Sequence, residues 1–157
     1  MPITTRFADA ADAALIAELS RKTFYDSFIA DNSTENMDKF MNEQFTTEAL
    51  IKEVGAPNNI FLLAIENNEV LGYARLRENN KPPELGNANT IEIARIYAIT
   101  EAIGKGVGKA LMQKSLDIAA GLHKDTVWLG VWERNQRAID FYTRWGFEKF
   151  STHVFLL

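Results

Sequence analysis

A glycine-spaced loop between a predicted strand and a predicted helix is the segment whose chemistry is clearest from residue types alone. Residues 104–108 are Gly-Lys-Gly-Val-Gly, and a second lysine, Lys109, follows. Glycine permits positive φ and carries no side chain, so several backbone N–H groups can converge on one point. The first turn and the dipole of the following helix attract anions, and Lys105 and Lys109 add positive charge. The segment predicts an anion site with pyrophosphate as its natural occupant.

Taken alone, this loop leaves other interpretations open. A G-x-G-x-G run is also typical of a flexible glycine-rich turn. The dinucleotide-binding pattern G-x-G-x-x-G does not match the spacing, and a hairpin and a loop precede it instead of a βαβ unit. A Walker loop fails because no Gly-Lys-Ser/Thr occurs. An ATP- or NAD-binding domain therefore remains only an alternative function.

A second group of motifs follows the loop. It comprises Trp128-Leu129-Gly130-Val131-Trp132-Glu133-Arg134-Asn135, then Ala138, Phe141-Tyr142 and Gly146-Phe147. From Glu92 through Phe147 the sequence resembles the GCN5-related N-acetyltransferases (GNAT). Their pattern is Arg/Gln-x-x-Gly-x-Gly/Ala, then a strand, an Asn and an Ala-x-x-Phe-Tyr-x-x-x-Gly-Phe helix. One departure is Ile103, which stands where the family usually has Arg or Gln.

Four stretches are similar to the PaiA-type polyamine acetyltransferases in particular: Thr23–Phe28, Glu35–Met37, Ile91–Tyr97 and Trp128–Asn135. The resemblance implies transfer of an acetyl group from acetyl-CoA to a primary amine, with a polyamine such as spermidine as the favoured acceptor. An amino acid, an aminoglycoside or a peptide N-terminus is the alternative acceptor. Direct transfer in a ternary complex is expected because the chain has no cysteine to carry the acetyl group.

The resemblance also implies a cofactor site in which the strand ending near Ile99 splays away from the one containing Gly130. The implied pantetheine contacts are the main chain of Ile96, Tyr97 and Ala98. The implied pyrophosphate contacts are Gly104, Lys105, Gly106, Val107, Gly108 and Lys109, with a side-chain amide contact from Asn135.

Two residues are the candidates for proton transfer. Tyr142 is the predicted general acid, since a phenol of pKa near 10 can protonate a departing thiolate. The alternative for Tyr142 is a core ring whose hydroxyl is hydrogen-bonded internally. Glu92, on the strand leading to the cofactor, is the predicted general base acting through water. Its alternatives are a solvated strand glutamate, or backbone carbonyls that receive the proton instead.

The resemblance places the acceptor pocket among the N-terminal helices and the central strands, which points to Phe24, Tyr25 and Phe28. The alternative is that these aromatic residues are simply core on an amphipathic helix. A non-catalytic acyl-CoA-binding regulatory protein is the alternative function from a different class. It is favoured only by Ile103 and by the expectation that the chain stops one strand short of its relatives.

The elements needed to position these residues follow from local patterns. The first third of the chain has helical patterns. Asp9 is predicted to cap a helix that runs to Phe28, Thr34 to cap a second helix, and Thr46 or Thr47 to cap a third. Residues 60–66 and 70–77 predict a β-hairpin around Asn67-Asn68-Glu69. A strand over 90–99 is expected to place Ile91, Ile93, Arg95 and Tyr97 on one face.

The second half alternates strands and helices. A long helix follows Gly108, and the remaining elements are a strand over 126–132, a helix over 135–145 and a single strand over 149–157. The element order predicts an α/β (α+β) fold with a mixed, mostly antiparallel sheet flanked by helices. Residues 1–157 are expected to form one acetyltransferase domain.

Composition excludes several classes of protein. A net charge of −4 argues against a broad nucleic-acid surface, and no apolar stretch is long enough to span a membrane. Two histidines and no cysteine leave no ordinary metal site. The absence of cysteine and of a signal sequence predicts a cytoplasmic location. The apparently missing last strand predicts an exposed sheet edge and hence a homodimer.

Overall fold

The computed structural model describes residues 2–131, 135–151 and 154–156. Five helices are formed: α1 (Ala13–Phe28), α2 (Thr34–Glu43), α3 (Thr47–Glu53), α4 (Val107–Gly121) and α5 (Gln136–Arg144). The strands are β1 (Thr4–Phe7), β2 (Asn59–Glu66), β3 (Glu69–Glu78), β4 (Thr90–Ala98), β5 (Thr126–Gly130), β6 (Glu148–Ser151) and β7 (Val154–Leu156).

The strands form one sheet in the order β1-β2-β3-β4-β5-β7-β6. Only the β4–β5 pair is parallel; all other neighbours are antiparallel. Helices α4 and α5 cover one face through a core that includes Leu111, Met112 and Tyr142. Helix α1 covers the other face through Ile16 and Leu19. The predicted mixed, mostly antiparallel sheet flanked by helices is confirmed.

The N-terminal third differs from the predicted all-helical segment. Thr4–Phe7 is a strand that pairs antiparallel with β2, and four residues are too few for a reliable alternation signal. The predicted cap at Asp9 is confirmed, and Asp12 completes a capping box with it. Ser33, one residue before the predicted Thr34, caps α2, and Thr46 caps α3.

Because of a β-bulge in β4, the prediction of which side chains share a face of this strand is wrong. Arg75 lies opposite Arg95 while Leu76 lies opposite Ile93, so Ala94 is an extra residue. An extra residue reverses the alternation of side chains after it. Ile96 and Ala98 therefore pack in the same core as Ile91 and Ile93, whereas Tyr97 packs on the opposite face against Tyr73.

The C-terminal segment also differs from the prediction of a single strand over 149–157. It forms two strands, and β7 pairs with both β5 and β6. The strand that was expected to be missing is therefore present. The argument for a homodimer from an incomplete sheet loses its premise, and the oligomeric state stays a prediction without that support.

An ion cluster joins α3 to the middle of the sheet. The Glu53 carboxylate accepts hydrogen bonds from both terminal nitrogens of Arg95, at 2.7 and 2.9 Å, and from Arg75 at 3.3 Å. The two arginines are cross-strand neighbours at the bulge, and their side chains are only 11% and 16% exposed. Glu53 thus neutralises much of a half-buried positive charge.

We expect Glu53→Gln to lower the free energy of unfolding by about 2 kcal/mol, because two half-buried guanidinium groups lose their counterion. Partial exposure of Glu53 keeps the loss below that of a fully buried pair. Urea denaturation at pH 7 measures the change. Glu48→Gln, on the exposed first turn of the same helix, is the control and should cost less than about 0.5 kcal/mol. Equal losses in the two variants would contradict the role given to the cluster.

Candidate functional site

The parallel strands β4 and β5 separate partway along their length. They pair at Thr90–Thr126, Ile91–Val127 and Glu92–Trp128, and no later pair is formed, although β4 continues to Ala98. Residues 94–99 are all half-buried. Backbone N–H and C=O groups that lack a strand partner must bond to something else. The gap between the two strands can therefore receive an extended polar chain that pairs with β4.

At the end of β4 the predicted glycine loop is a turn with two left-handed glycines, and anion binding by this turn stays a prediction. Gly104 has φ of +88° and Gly106 has φ of +93°, and Gly106 is the N-cap of α4 without any side-chain cap. The N–H groups of the helix's first turn are therefore free to bind a ligand. Val107 is 1% exposed and anchors this turn in the core.

Gly108 serves a different purpose from the positive φ predicted for it. It lies inside α4, and a Cβ there would come within 3.3 Å of the Phe141 ring on α5. Its missing side chain lets α4 and α5 approach beside the gap. Ile103, at the position where the family usually has Arg or Gln, is 43% exposed.

The two predicted lysines lie on the open side of the loop. Lys105 and Lys109 are exposed and line a cleft of about 390 Å³ that also includes Glu66 and Gln113. They supply positive charge around the loop without being held in a fixed position, since neither forms an ion pair with a described residue.

Asn135 begins α5 and acts as its N-cap. Its Oδ1 accepts a hydrogen bond from the Ala138 N–H at 3.2 Å. The predicted side-chain contact with a cofactor must therefore use the amide nitrogen. The stretch Trp132–Arg134 before it lies outside the described residues.

Tyr142 lies in the core between α5 and the sheet, with its ring edge-on to Phe147 at 5.8 Å. Only 8% of the residue is exposed. Burial, and to a lesser extent the nearby Tyr97, raises the pKa of Tyr142 well above its usual value. Its hydroxyl makes no hydrogen bond to a described residue.

Tyr97 places a second phenol near the first. Burial raises the pKa of Tyr97 to about 12, with Tyr73 adding to the rise. The Tyr73 and Tyr97 rings stack at 6.2 Å. Because of the bulge, Tyr97 projects from the face of β4 opposite Ile96 and Ala98, while the backbone of all three lies along the gap.

Glu92 is buried, in contrast to a solvated strand glutamate. Its Oε1 accepts hydrogen bonds from Arg77 Nε at 2.6 Å and Asn80 Nδ2 at 2.8 Å. Its Oε2 accepts none from the described residues. Glu92 and its neighbour Trp128 form the last pair before β4 and β5 separate. The carboxylate is thus held rigidly at the start of the gap with one oxygen available.

The predicted acceptor residues lie in an aromatic stack on α1 and α2. The Phe24 ring is 4.6 Å from Phe28, 5.1 Å from Phe40 and 4.9 Å from Phe45. Tyr25 packs partly buried beside this cluster. The stack reaches β4 because the Arg95 guanidinium lies 5.0 Å from the Phe45 ring. Packing accounts for all three predicted residues, and contact with an acceptor stays a prediction.

The structure adds residues that sequence patterns did not single out. Gly72 on β3 passes so close to its neighbours that a Cβ would lie 2.5 Å from the Tyr97 carbonyl oxygen and 2.6 Å from Val107 Cγ1. A lone glycine inside a strand pattern is the signal that would have found it. Arg77 and Asn80, which hold Glu92, gave no signal because their partner is far along the chain.

No three His, Asp or Glu side chains come together as a metal site within ranges 2–131, 135–151 and 154–156. No helix in the same ranges is long and apolar enough to cross a membrane.

Comparison with known proteins agrees with this geometry. The sequence model of the acetyltransferase (GNAT) family matches residues 17–147. An uncharacterised N-acetyltransferase from the pepI 3′ region of Lactobacillus delbrueckii subsp. lactis is 37% identical over 139 residues, covering 88% of this chain and 80% of that protein. The N-alpha-acetyltransferase RimI of Mycobacterium tuberculosis is 27% identical, covering 94% and 80%.

Among solved structures, the fold is similar to the PaiA N-acetyltransferase of Thermoplasma acidophilum in complex with coenzyme A. The TM-score is 0.80 with 23% identity, over 99% of this chain and 97% of that one. An aminoglycoside acetyltransferase from an uncultured soil metagenome gives a TM-score of 0.73 with 18% identity, over 98% and 96%.

The loop geometry makes a direct prediction. We expect Gly106→Ala to weaken coenzyme A binding about tenfold and to destabilise the fold by about 1–2 kcal/mol, because a Cβ disfavours φ of +93°. Nothing lies within 4 Å of the added atom, so the effect comes from the backbone. Isothermal titration with coenzyme A and thermal unfolding measure the two quantities.

Gly121→Ala is the matched control in the same helix. A Cβ added at Gly121 would also meet open space, and the φ of Gly121 is not positive. It should leave coenzyme A affinity unchanged and raise stability by up to about 1 kcal/mol. Unchanged affinity in Gly106→Ala would rule out an anion site that depends on this turn.

Proposed function

The chain belongs to the acetyltransferase (GNAT) family and is an N-acetyltransferase, and on this premise we propose that it transfers acetyl from acetyl-CoA directly to a primary amine of a small molecule. The observation that carries the proposal is the gap between β4 and β5 leading into an uncapped helix N-terminus. A strand-like pantetheine and an anionic pyrophosphate need such a pair of features.

In this proposal each part of the cofactor meets backbone groups. Pantetheine pairs with the main chain of Ile96, Tyr97 and Ala98. Pyrophosphate binds the amides over 104–109, and Asn135 offers its free amide nitrogen. Because most of these contacts are to the backbone, isoleucine at position 103 is compatible with cofactor binding.

Tyr142 acts as the general acid in the proposed reaction. The neutral amine attacks the thioester carbonyl carbon, the C–S bond breaks, and the thiolate takes the phenolic proton. The acetylated nitrogen then releases its second proton, which passes through water to the phenolate and restores the phenol. A phenol whose pKa is raised by burial stays protonated throughout the neutral and mildly alkaline range. It is therefore a proton donor at every working pH, and the thiolate, with a thiol pKa of about 8.5, is its acceptor.

Glu92 acts as the base, through water. An amine of pKa about 10 is only about 0.1% neutral at pH 7, which corresponds to about 4 kcal/mol of barrier. General-base help is worth about 10²–10⁴-fold. Arg77 and Asn80 orient the carboxylate through one oxygen, and the other oxygen is free to accept a proton from water. The location at the start of the gap supports this role.

The chemical class of the acceptor amine is a separate part of the proposal. The resemblance to PaiA-type sequences predicts a polyamine, with Phe24, Tyr25 and Phe28 as its pocket. Similar proteins differ in their acceptors by name, one being an aminoglycoside acetyltransferase and another an N-alpha-acetyltransferase. We therefore propose a small-molecule amine as the acceptor, with a polyamine and an amino acid as the first two classes to test. One domain over residues 1–157 and a cytoplasmic location stay predictions.

A non-catalytic acyl-CoA-binding protein is the alternative. A thiol-release assay across polyamines, amino acids, aminoglycosides and peptide N-termini decides between the two functions. Coenzyme A binding without turnover of any amine would favour the regulatory protein and overturn the proposal.

We expect Tyr142→Phe to lower kcat about 10²-fold while leaving the KM for acetyl-CoA unchanged, because only the proton donor is lost and the ring still packs. Steady-state thiol release with any accepted amine measures both constants. Tyr73→Phe is the control, since it also removes one buried phenolic hydroxyl but one without a partner. A Tyr142→Phe enzyme with normal kcat would disprove the assignment.

The pH dependence separates the acid from the base. Since burial raises the pKa of Tyr142, we expect no fall in kcat from this residue up to about pH 10. Glu92→Gln should lower kcat/KM at least about tenfold for amines of pKa about 10 and less for amines of pKa about 8, which are partly neutral already. Glu84→Gln, on the exposed 79–89 loop, is the control. An equal deficit for both amines would remove Glu92 as the base.

A further inference from the structure

The sheet face that carries Glu92 is rich in arginine. Arg75 and Arg77 lie two residues apart on β3 and so share a face, and Arg95 joins them through the common partner Glu53. The carboxylates that pair with these three guanidinium groups are Glu53 and Glu92. This cluster of five side chains therefore carries one more positive than negative charge.

The three arginines differ in how many of their guanidinium nitrogens donate hydrogen bonds. Arg95 gives both terminal nitrogens to Glu53. Arg75 gives Nε to Asn59 at 2.7 Å and one terminal nitrogen to Glu53. Arg77 gives only Nε, to Glu92. Its two terminal nitrogens have no partner among the described residues, and its side chain is 35% exposed, the most of the three.

A guanidinium with both terminal nitrogens free is a fork that fits a carboxylate with two parallel hydrogen bonds. The free fork of Arg77 lies next to the free Oε2 of Glu92, because the two side chains are joined by a 2.6 Å hydrogen bond. One receptor for an anion and one for an ammonium proton therefore lie side by side, where β4 and β5 begin to separate.

From this pairing we propose that the acceptor is an α-amino acid, whose amine is deprotonated by way of Glu92 while its carboxylate binds Arg77. The proposal rests on the acetyltransferase function proposed above and names its substrate class. In an α-amino acid the ammonium and the carboxylate share one carbon, which matches adjacent receptors. A polyamine carries only positive charges, and both carboxylates on this face are already neutralised by arginine, so it is the poorer acceptor.

The reaction balances as before. The α-ammonium loses one proton through water to Glu92, and the neutral nitrogen forms a bond to the acetyl carbon. The C–S bond breaks, the departing sulfur takes the Tyr142 proton, and the nitrogen's second proton passes to the Tyr142 phenolate. The products are an N-acetylamino acid and coenzyme A. Arg77 takes no proton and acts as a specificity residue.

The test compares acceptors that differ only at the carboxylate. Lysine is measured against lysinamide and cadaverine, its decarboxylated form, and leucine against leucinamide and isopentylamine, with spermidine alongside. We expect kcat/KM for at least one amino acid to exceed that of its amide and its decarboxylated amine by tenfold or more. Mass spectrometry should locate the acetyl group on the α-nitrogen, also in lysine.

Arg77 variants connect the preference to the residue. Arg77→Gln should bring the ratio of kcat/KM for amino acid over decarboxylated amine close to one, and Arg77→Lys should retain part of it. If Arg77→Gln also displaces Glu92, kcat/KM falls for both substrates alike. The ratio of the two values is not affected by that general loss. Arg144→Gln, which removes an exposed guanidinium from α5, is the charge-matched control and should keep the full ratio.

The outcomes distinguish this proposal from the one it rests on. Turnover of cadaverine or spermidine equal to or better than that of the amino acids would overturn the amino-acid acceptor and leave the acetyltransferase standing. Turnover of aminoglycosides or peptide N-termini alone, or a ratio unchanged in Arg77→Gln, would do the same. Absence of turnover with every amine, despite coenzyme A binding, would overturn both.

Discussion

The separation of β4 from β5 is the constraint on which the rest of this structure depends. Once the two strands part after Glu92 and Trp128, the β4 backbone has hydrogen-bonding groups with no strand to satisfy them. Other features support the open gap. β7 secures the far edge of β5, Gly72 lets β3 lie tightly against the end of β4, and Gly108 brings α5 close to α4. In the proposed function, the extended pantetheine arm of acetyl-CoA pairs with these groups and completes the sheet.

The bulge at Ala94 makes the two faces of β4 beside the gap chemically different. Before it and after it, aliphatic side chains of β4 project into the α4 core, because the extra residue resets the alternation. On the other face the same shift places Glu92 and Arg95 together although their numbers differ by three. The backbone proposed to face the cofactor and the charged surface proposed to face the acceptor therefore both depend on one local irregularity.

Local patterns were sufficient for the elements with strong signals. Asn67 and Asn68 both adopt positive φ in the predicted hairpin turn, and the glycines before α4 make the predicted loop. The bulge was not predictable from a two-residue period, because the residues that specify it lie on a neighbouring strand. Burial of Glu92 depends on Arg77 and Asn80, and no local signal reports such partners. The pattern over 149–157 predicts one strand where the structure has β6 and β7, because neither glycine nor proline stands between Ser151 and Val154.

The position of β7 has a consequence for how the protein folds. β7 follows β6 in the chain yet lies between β5 and β6 in the sheet. Until β7 is in place, β6 has no strand to join and one edge of β5 is open. A folding intermediate that lacks β7 is thus exposed to edge-to-edge aggregation, and a chaperone or a ligand that shields β5 would act on it.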